Sequence, residues 1–277
     1  MLPKRGTFIP LFSIIVSLMP MCYTFAMSGV KIIGHIRTDF PTKFGIPRQG
    51  IGELKGRIVF EPEFRKEEAF RGIEEFSHLW ILWQFSESRG EHSLTVHPPR
   101  LGGKEKKGVF ATRSPFRPSD IALTCVKLDR FELGEEGPVL YVSGIDMMDG
   151  SPVYDIKPYV PYSDCVPEAS QGFTGRTKDH RLEAVFPEEL LARFPEEKRQ
   201  AARRILEEDP RPRYMPEERE SYGVAFAGMD IHFRVHDGIA EVYEVIPLVE
   251  MTERDKVTKK LCNETEGVKR WTESDSE

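Results

Sequence analysis

The densest run of side chains able to do chemistry lies between Pro98 and Pro118, in the stretch PPRLGGKEKKGVFATRSPFRP. Six basic residues (Arg100, Lys104, Lys106, Lys107, Arg113, Arg117) and one acid (Glu105) give it a local excess of five positive charges. The whole chain carries a formal net charge of −6. Local charge that opposes the global sign points to an anionic partner at one place. On charge alone, a solvated loop is the competing reading. The Gly102-Gly103 pair, the Thr112-Arg113-Ser114 step and the prolines around Phe116 prescribe a backbone shape as well as a charge. Arg113 and Arg117 suit a carboxylate or phosphate gripped by two parallel hydrogen bonds.

Further polar groups stand elsewhere. Pro47-Arg48-Gln49 sits in a loop after an early strand, where a plain surface turn is the alternative. Asp146 to Asp149, with Met147 and Met148 between them, follows a strand and precedes Ser151-Pro152; turn formation is its simpler explanation. Asp155 and Lys157 have strand spacing, so both face one side, as ligand contacts or as an ion pair. Asp209-Pro210-Arg211-Pro212-Arg213-Tyr214 closes a helix. Its arginines and tyrosine, set beside prolines, suit a phosphate and a stacked base, or simply a helix stop with surface arginines. No glycine-rich phosphate loop links a strand to a helix, which argues against P-loop and dinucleotide-type binding and a Rossmann-type methyltransferase. Seven scattered histidines support no Ser/His/Asp set. Four widely spaced cysteines give no zinc pattern, so no metal is expected, and buried reduced thiols are the expectation.

The elements that must position these groups are short. Strands are expected over Val30–Ile36, Gly56–Phe60, His78–Phe85, Ile121–Leu128, Val139–Ile145 and Val153–Ile156, with Gly134–Pro138 and Asp146–Pro152 as turns. Glu63–Phe70 has helix-forming composition, and Lys157–Pro167 reads as extended. Trp80 and Trp83 are expected in the core or at its rim. Antiparallel strands linked by turns predict a closed or strongly curved β structure. Past a polar linker, Pro187–Glu208 reads as one helix with apolar pairs Ala201/Ile205 and Ala202/Leu206. Val224–Phe226, Ile231–His236 and Ala240–Val245 then form a small sheet with a hairpin at Asp237-Gly238.

A chain of 277 residues holds one large domain or two small ones. The reading is mainly β: an N-terminal antiparallel β-barrel over 27–168, a linker over 169–180, a smaller α+β C-terminal domain over 181–250 and a polar tail over 251–277. Residues 1–26 have charged Lys4 and Arg5 before an apolar run from Phe8 to Phe25. That pattern imitates a signal peptide, yet Pro10 and Pro20 interrupt it, and it is short for a membrane span. A start placed before the true first residue, Met27, is the preferred reading. The remainder is expected to be cytoplasmic, with no membrane segment.

Taken in order, several runs closely resemble one family, the TsaA-like or TrmO proteins, which are tRNA (adenine-N6)-methyltransferases. The carriers are Ile33-Gly34-His35-Ile36-Arg37, Pro47-Arg48-Gln49, Phe76-Ser77-His78-Leu79-Trp80, Pro98 to Gly103, Gly108 to Ser114, Phe116-Arg117-Pro118, Asp149-Gly150-Ser151-Pro152, Asp155 to Tyr159 and Asp209 to Pro212. The resemblance spans Ile33 to about Val245. It implies a non-Rossmann β-barrel site for S-adenosyl-L-methionine (SAM), a homodimer, and a tRNA substrate carrying N6-threonylcarbamoyladenosine next to the anticodon. By motif, the implied cofactor contacts are Pro47, Arg48, Gln49, Ser86, Glu87, Arg113, Leu123, Asp146, Met147, Met148 and Asp149. The implied tRNA contacts are Arg117, Lys157, Asp209, Arg211, Arg213 and Tyr214, with Asp149 and Asp155 as candidates for the catalytic proton acceptor. Ser86-Glu87 replaces the usual His-Gln pair, and Ser119 to Ala122 replaces Asn-Pro-Ile-Gly. A noncatalytic RNA-binding module that kept the barrel, or a SAM-dependent enzyme with a different small-molecule substrate, are the rival readings.

Overall fold

A computed structural model describes residues 29–88, 92–101, 105–135, 137–211 and 221–248. The expectations for residues 1–26, the tail beyond 250, Lys104, Arg213 and Tyr214 lie outside the described residues. The described residues form twelve strands: β1 (Gly34–Arg37), β2 (Lys55–Phe60), β3 (His78–Gln84), β4 (Thr95–Val96), β5 (Lys107–Gly108), β6 (Ile121–Gly134), β7 (Gly137–Ser143), β8 (Pro152–Pro158), β9 (Glu183–Val185), β10 (Tyr222–Phe226), β11 (Met229–His236) and β12 (Ile239–Pro247). The helices are α1 (Pro161–Asp164), α2 (Glu188–Leu191) and α3 (Glu196–Glu207).

Six strands close into a barrel in the order β1-β2-β7-β6-β3-β8, every neighbouring pair antiparallel. Alternation along each strand fills the lumen: Leu79, Ile81 and Trp83 from β3 oppose Val126, Thr124 and Ala122 from β6. Ile58 of β2 likewise opposes Leu140 of β7, and all of these side chains are buried. Thr124 is the polar member of that lumenal row. Closure leaves no barrel strand with an unpaired edge.

The C-terminal part is a four-stranded sheet in the order β10-β11-β12-β9, in which the short β9 runs parallel to β12. Its hairpin turns at Asp237 and Gly238, both at positive φ (48° and 79°), as an Asp-Gly turn of the twisted-hairpin kind requires. Helix α3 buries Ala201, Ala202, Ile205 and Leu206 on one face. The continuous helix expected over Pro187–Glu208 is instead two helices. Pro195 has no N–H to bond back into a preceding turn, so α2 ends early and α3 restarts behind it. Phe194, in the break, is buried against Phe226, ring centroids 6.3 Å apart.

Barrel and sheet share one hydrophobic core. Phe40, just past β1, meets Phe226 at 5.2 Å, and Ala227 N donates to Asp39 O at 3.0 Å. Lys198 on α3 bonds to Asp39. Glu63–Phe70 contains two short 3-10 turns where a helix was expected, and Lys157–Pro167 contains α1 where extended chain was expected. Cys165 is exposed and Cys125 half-buried, which corrects the expectation of buried thiols at both.

Candidate active site

Three loops meet at one mouth of the barrel. The first joins β1 to β2 and carries Pro47, Arg48 and Gln49. Its start is fastened to the 146–150 turn: Thr38 N donates to Asp149 Oδ1 (3.0 Å), Thr38 Oγ1 donates to Met147 O (3.1 Å), and Asp149 N donates to Phe40 O (2.8 Å). Its far end is seated against Gly144, so closely that a Cβ on Gly50 would fall 1.8 Å from the Gly144 carbonyl oxygen. Pro47 is buried, Arg48 half-buried and Gln49 exposed, so the loop is anchored at one end and presents its polar tip outward.

The second loop is the basic stretch before β6. Val109 is buried and pins it to the fold, while a ladder of local bonds fixes its path. Thr112 Oγ1 donates to Val109 O (2.8 Å) and accepts from Ser114 N (3.3 Å), and Ser114 Oγ accepts from Phe116 N (3.2 Å). Arg117 turns inward and donates to Thr112 O (3.2 Å) and Ser114 O (3.4 Å), so its guanidinium braces the loop. Arg113 is exposed and reaches across to Gln49, Nη1 donating to Oε1 at 3.0 Å. Gln49 Nε2 in turn donates to Arg48 O (2.6 Å), and Arg48 Nη2 donates to Arg211 O (3.3 Å). A chain of hydrogen bonds thus runs from the basic loop, through Pro47-Arg48-Gln49, to the Asp209–Arg211 segment past α3.

The third loop supplies a carboxylate whose proton affinity the fold raises. Burial is the main influence on Asp146 and lifts its pKa from the usual 3.8 to about 6. A hydrogen bond from Thr124 Oγ1 (2.6 Å) and the positive charge of Arg113 oppose that rise without cancelling it. Thr124 receives a bond from buried Trp83 Nε1 at 3.0 Å. The barrel interior therefore sends one polar relay, Trp83 to Thr124 to Asp146, up to the mouth where Arg113 and Gln49 stand.

The other predicted positions divide. Leu123 is nearly half exposed on the outer side of β6. Ser86 and Glu87 form a short 3-10 turn after β3, and Glu87 O accepts from Lys43 Nζ at 3.5 Å. The Met147 side chain is wholly buried in the core, so only its backbone reaches the mouth, whereas Met148 is half-buried. Asp149 is engaged with Thr38 and lies 3.7 Å from Arg37. Asp155 and Lys157 form an exposed ion pair at 2.8 Å on β8. Asp209 is buried at positive φ (53°) and binds Arg211 through both oxygens (2.7 and 3.1 Å) and His180 at 3.0 Å. Burial alone would lower the Arg211 pKa, and the Asp209 carboxylate outweighs it, so the guanidinium is held charged. The sequence places Trp83 in the core or at its rim, where it is found, and assigns no role to Thr124. The signal was there: Thr124 is polar at a position whose strand alternation points it into the lumen.

A small closed barrel with an arginine, a glutamine and a half-buried acid at one mouth, joined to a C-terminal sheet through a helix stop, defines a β-barrel fold distinct from the Rossmann class. Residues 35–165 match the family model of the tRNA-methyltransferase O N-terminal domain, and residues 180–248 match the TrmO C-terminal domain. A putative S-adenosylmethionine-dependent methyltransferase, RcsF, of Pseudomonas aeruginosa is 40% identical over 217 residues, covering 74% of this chain and 91% of its own. The tRNA (adenine(37)-N6)-methyltransferase of Escherichia coli K12 is 35% identical over 227 residues, covering 78% and 96%. A crystal structure of TrmO from Pseudomonas aeruginosa superposes with a TM-score of 0.59 at 32% identity, covering 77% of this chain and 96% of that one. The chain belongs to the tRNA-methyltransferase O (TrmO) family.

Proposed function

We propose that the protein is a SAM-dependent methyltransferase that places a methyl group on N6 of the threonylcarbamoyladenosine next to the tRNA anticodon. The observation that carries this reading is the meeting of Arg113, Gln49 and Asp146 at one barrel mouth. A SAM molecule presents a carboxylate and a sulfonium cation. The exposed Arg113 guanidinium fits the first, and an acid strained by burial fits a nearby positive charge. Pro47, Arg48, Gln49, Ser86, Glu87, Leu123 and the 146–149 turn complete the proposed cofactor contacts. When bound, SAM supplies a methyl group already activated by its sulfonium.

The protein's own task is then alignment, exclusion of water and removal of one proton. Asp149 and Asp155 were the candidates from sequence, and both are engaged elsewhere, with Thr38 and with Lys157. Asp146 stands at the mouth, and with a pKa of about 6 it is ionised at neutral pH yet basic enough to accept. In this reading a carboxylate oxygen of Asp146 takes the proton displaced from N6. Thr124 and Trp83 hold that carboxylate in position.

The basic loop supplies cations for tRNA phosphates, and exposed Phe110 (77% accessible) supplies a ring for an unstacked base. Asp209, Arg211, Arg213 and Tyr214 are proposed as a second tRNA contact, with Arg117 and Lys157 as flanking charges. The site of action is proposed to be the cytoplasm, where such a tRNA would be met, and the working form a homodimer. The test is nucleoside mass spectrometry after incubating the purified protein with SAM and tRNA. The expected product is the threonylcarbamoyladenosine carrying one additional N6 methyl. A folded protein that binds tRNA and yields no methylated nucleoside would favour the noncatalytic RNA-binding module.

A further inference from the structure

A cleft of about 530 Å³ opens on the outer wall of the barrel, lined by Gly52, Lys55, His78, Cys125, Lys127, Asp129, Ser143 and Gly144. Of these residues only Gly144, the seat of Gly50, figures in the site described above. The strand register explains why they converge. Lys55 on β2 and Lys127 on β6 are both paired with Ser143 on β7, and His78 on β3 is paired with Lys127. Directly opposed residues of antiparallel neighbours project to the same side, so four adjacent strands set Lys55, Ser143, Lys127 and His78 in one outward row. At the usual strand spacing the two lysines start about 10 Å apart at the backbone, with Ser143 between them. Two flexible ammonium groups at that separation converge on a small anion lying over the serine.

The neighbouring charges meet only part of this demand. Asp129 is the acid in the cleft. It accepts a hydrogen bond from Ser143 and lies 3.7 Å from Lys127. Lys55 is exposed and has no ion-pair partner among the described residues. Burial, and secondarily the Asp164 charge, push the Cys125 thiol up, so it adds no negative charge.

The cleft borders the mouth along the chain. Cys125 lies two residues beyond Leu123 on the same side of β6, Gly144 two residues before Asp146, and Gly52 three residues beyond Gln49. The contact of Gly50 with Gly144 forms the partition between the two. A ligand that reached both places would lie across that contact.

We propose that this cleft receives the amino-acid substituent on the target adenine, with its carboxylate held between Lys55 and Lys127. The assignment rests on the functional reading above and adds to it the discrimination between a threonylcarbamoyl-bearing adenine and a bare one. Only the former brings a carboxylate, at the far end of the substituent borne by the very nitrogen that is to be methylated.

The test uses the full chain with Lys55→Met, Lys127→Met and the double change, and Lys127→Arg as a charge-keeping control. Each is assayed with tRNA carrying or lacking the threonylcarbamoyl group, and SAM affinity is measured in parallel. Loss of one charged contact is expected to lower kcat/KM on modified tRNA roughly tenfold, and loss of both roughly a hundredfold. Lys127→Arg should retain most activity. SAM affinity and binding of unmodified tRNA should stay within about twofold of wild type, because neither uses the contact. Equal losses of binding on both tRNAs would assign the lysines to a backbone phosphate and overturn the proposal. Loss of SAM affinity would assign them to the cofactor carboxylate and overturn it too, as would unchanged kinetics in the double variant. Wild-type protein that binds SAM and never methylates would sink the functional reading instead. In that event, the preference of wild type for modified over unmodified tRNA, and its disappearance in the double variant, still decides the role of the cleft.

Discussion

Replacing Asp146 by Asn separates what this side chain costs the fold from what it does for catalysis. In the folded protein its pKa is about 6 against an ordinary 3.8, chiefly through desolvation. That difference corresponds to about 3 kcal/mol between the protonation states. Because the folded state holds the proton more tightly than the unfolded chain does, stability is full below pH about 4 and declines as pH rises through about 6. At pH 8 the wild-type protein therefore bears nearly the whole penalty. Asp146→Asn removes the charge and keeps an oxygen to accept from Thr124. It gives up only the charge-assisted part of that bond, about 1 kcal/mol. Urea unfolding followed by tryptophan fluorescence should show the variant more stable by about 1–2 kcal/mol at pH 8. The advantage should shrink to about zero near pH 4, with unchanged m-values. Methylation by the same variant should fall by about two orders of magnitude or more. A variant that is less stable at pH 8, or whose stability difference is flat between pH 4 and 8, would show that the carboxylate is not strained and remove the physical basis for its assigned role.

Arg113→Ala should weaken SAM binding by roughly ten- to a hundredfold in titration calorimetry, the worth of one charge-assisted contact. It should also move the acidic limb of the pH–rate profile upward, since the Arg113 charge holds the Asp146 pKa down; unchanged affinity in a folded variant would exclude it from the cofactor site. Arg211→Ala takes a bidentate partner from buried Asp209 and should cost about 3 kcal/mol in stability. It should weaken tRNA binding at matched salt and leave SAM affinity in place, and equal tRNA affinity would confine Arg211 to a structural part. Phe110→Ala should leave stability within about 0.5 kcal/mol, because the ring is exposed. Its loss should weaken tRNA binding by about 1–3 kcal/mol if a base stacks there, which filter binding or fluorescence anisotropy would report.

The barrel was legible because its strands carry local signals. A dense run of β-formers in β3, alternation in β6, and glycine at the turn between β6 and β7 mark these elements without reference to the rest of the chain. What escaped depended on distant partners. β9 is only three residues long and exists because β12 offers it a parallel edge. β6 runs on to Gly134, past the expected end at Leu128, because β7 supplies pairing beyond an irregularity near Asp129. The arginines of the basic loop look alike in sequence. Only the folded loop distinguishes Arg117, which braces its own backbone, from Arg113, which crosses to Gln49. The Lys55–Lys127 row was likewise invisible, since its members lie on strands brought side by side by closure rather than by order in the chain.

A cylinder that seals itself with its own side chains has no chamber in which to keep a reactant, so everything recognised here must be met at the rim or on the outer wall. The staves and the rim therefore answer to different demands. Residues such as Ile58, Ile81 and Leu140 are constrained by volume alone. The segments 38–54, 98–118 and 146–150 could be rewritten for another nucleoside without disturbing the staves, provided that Thr38, Gly50 and Val109 keep their anchoring contacts.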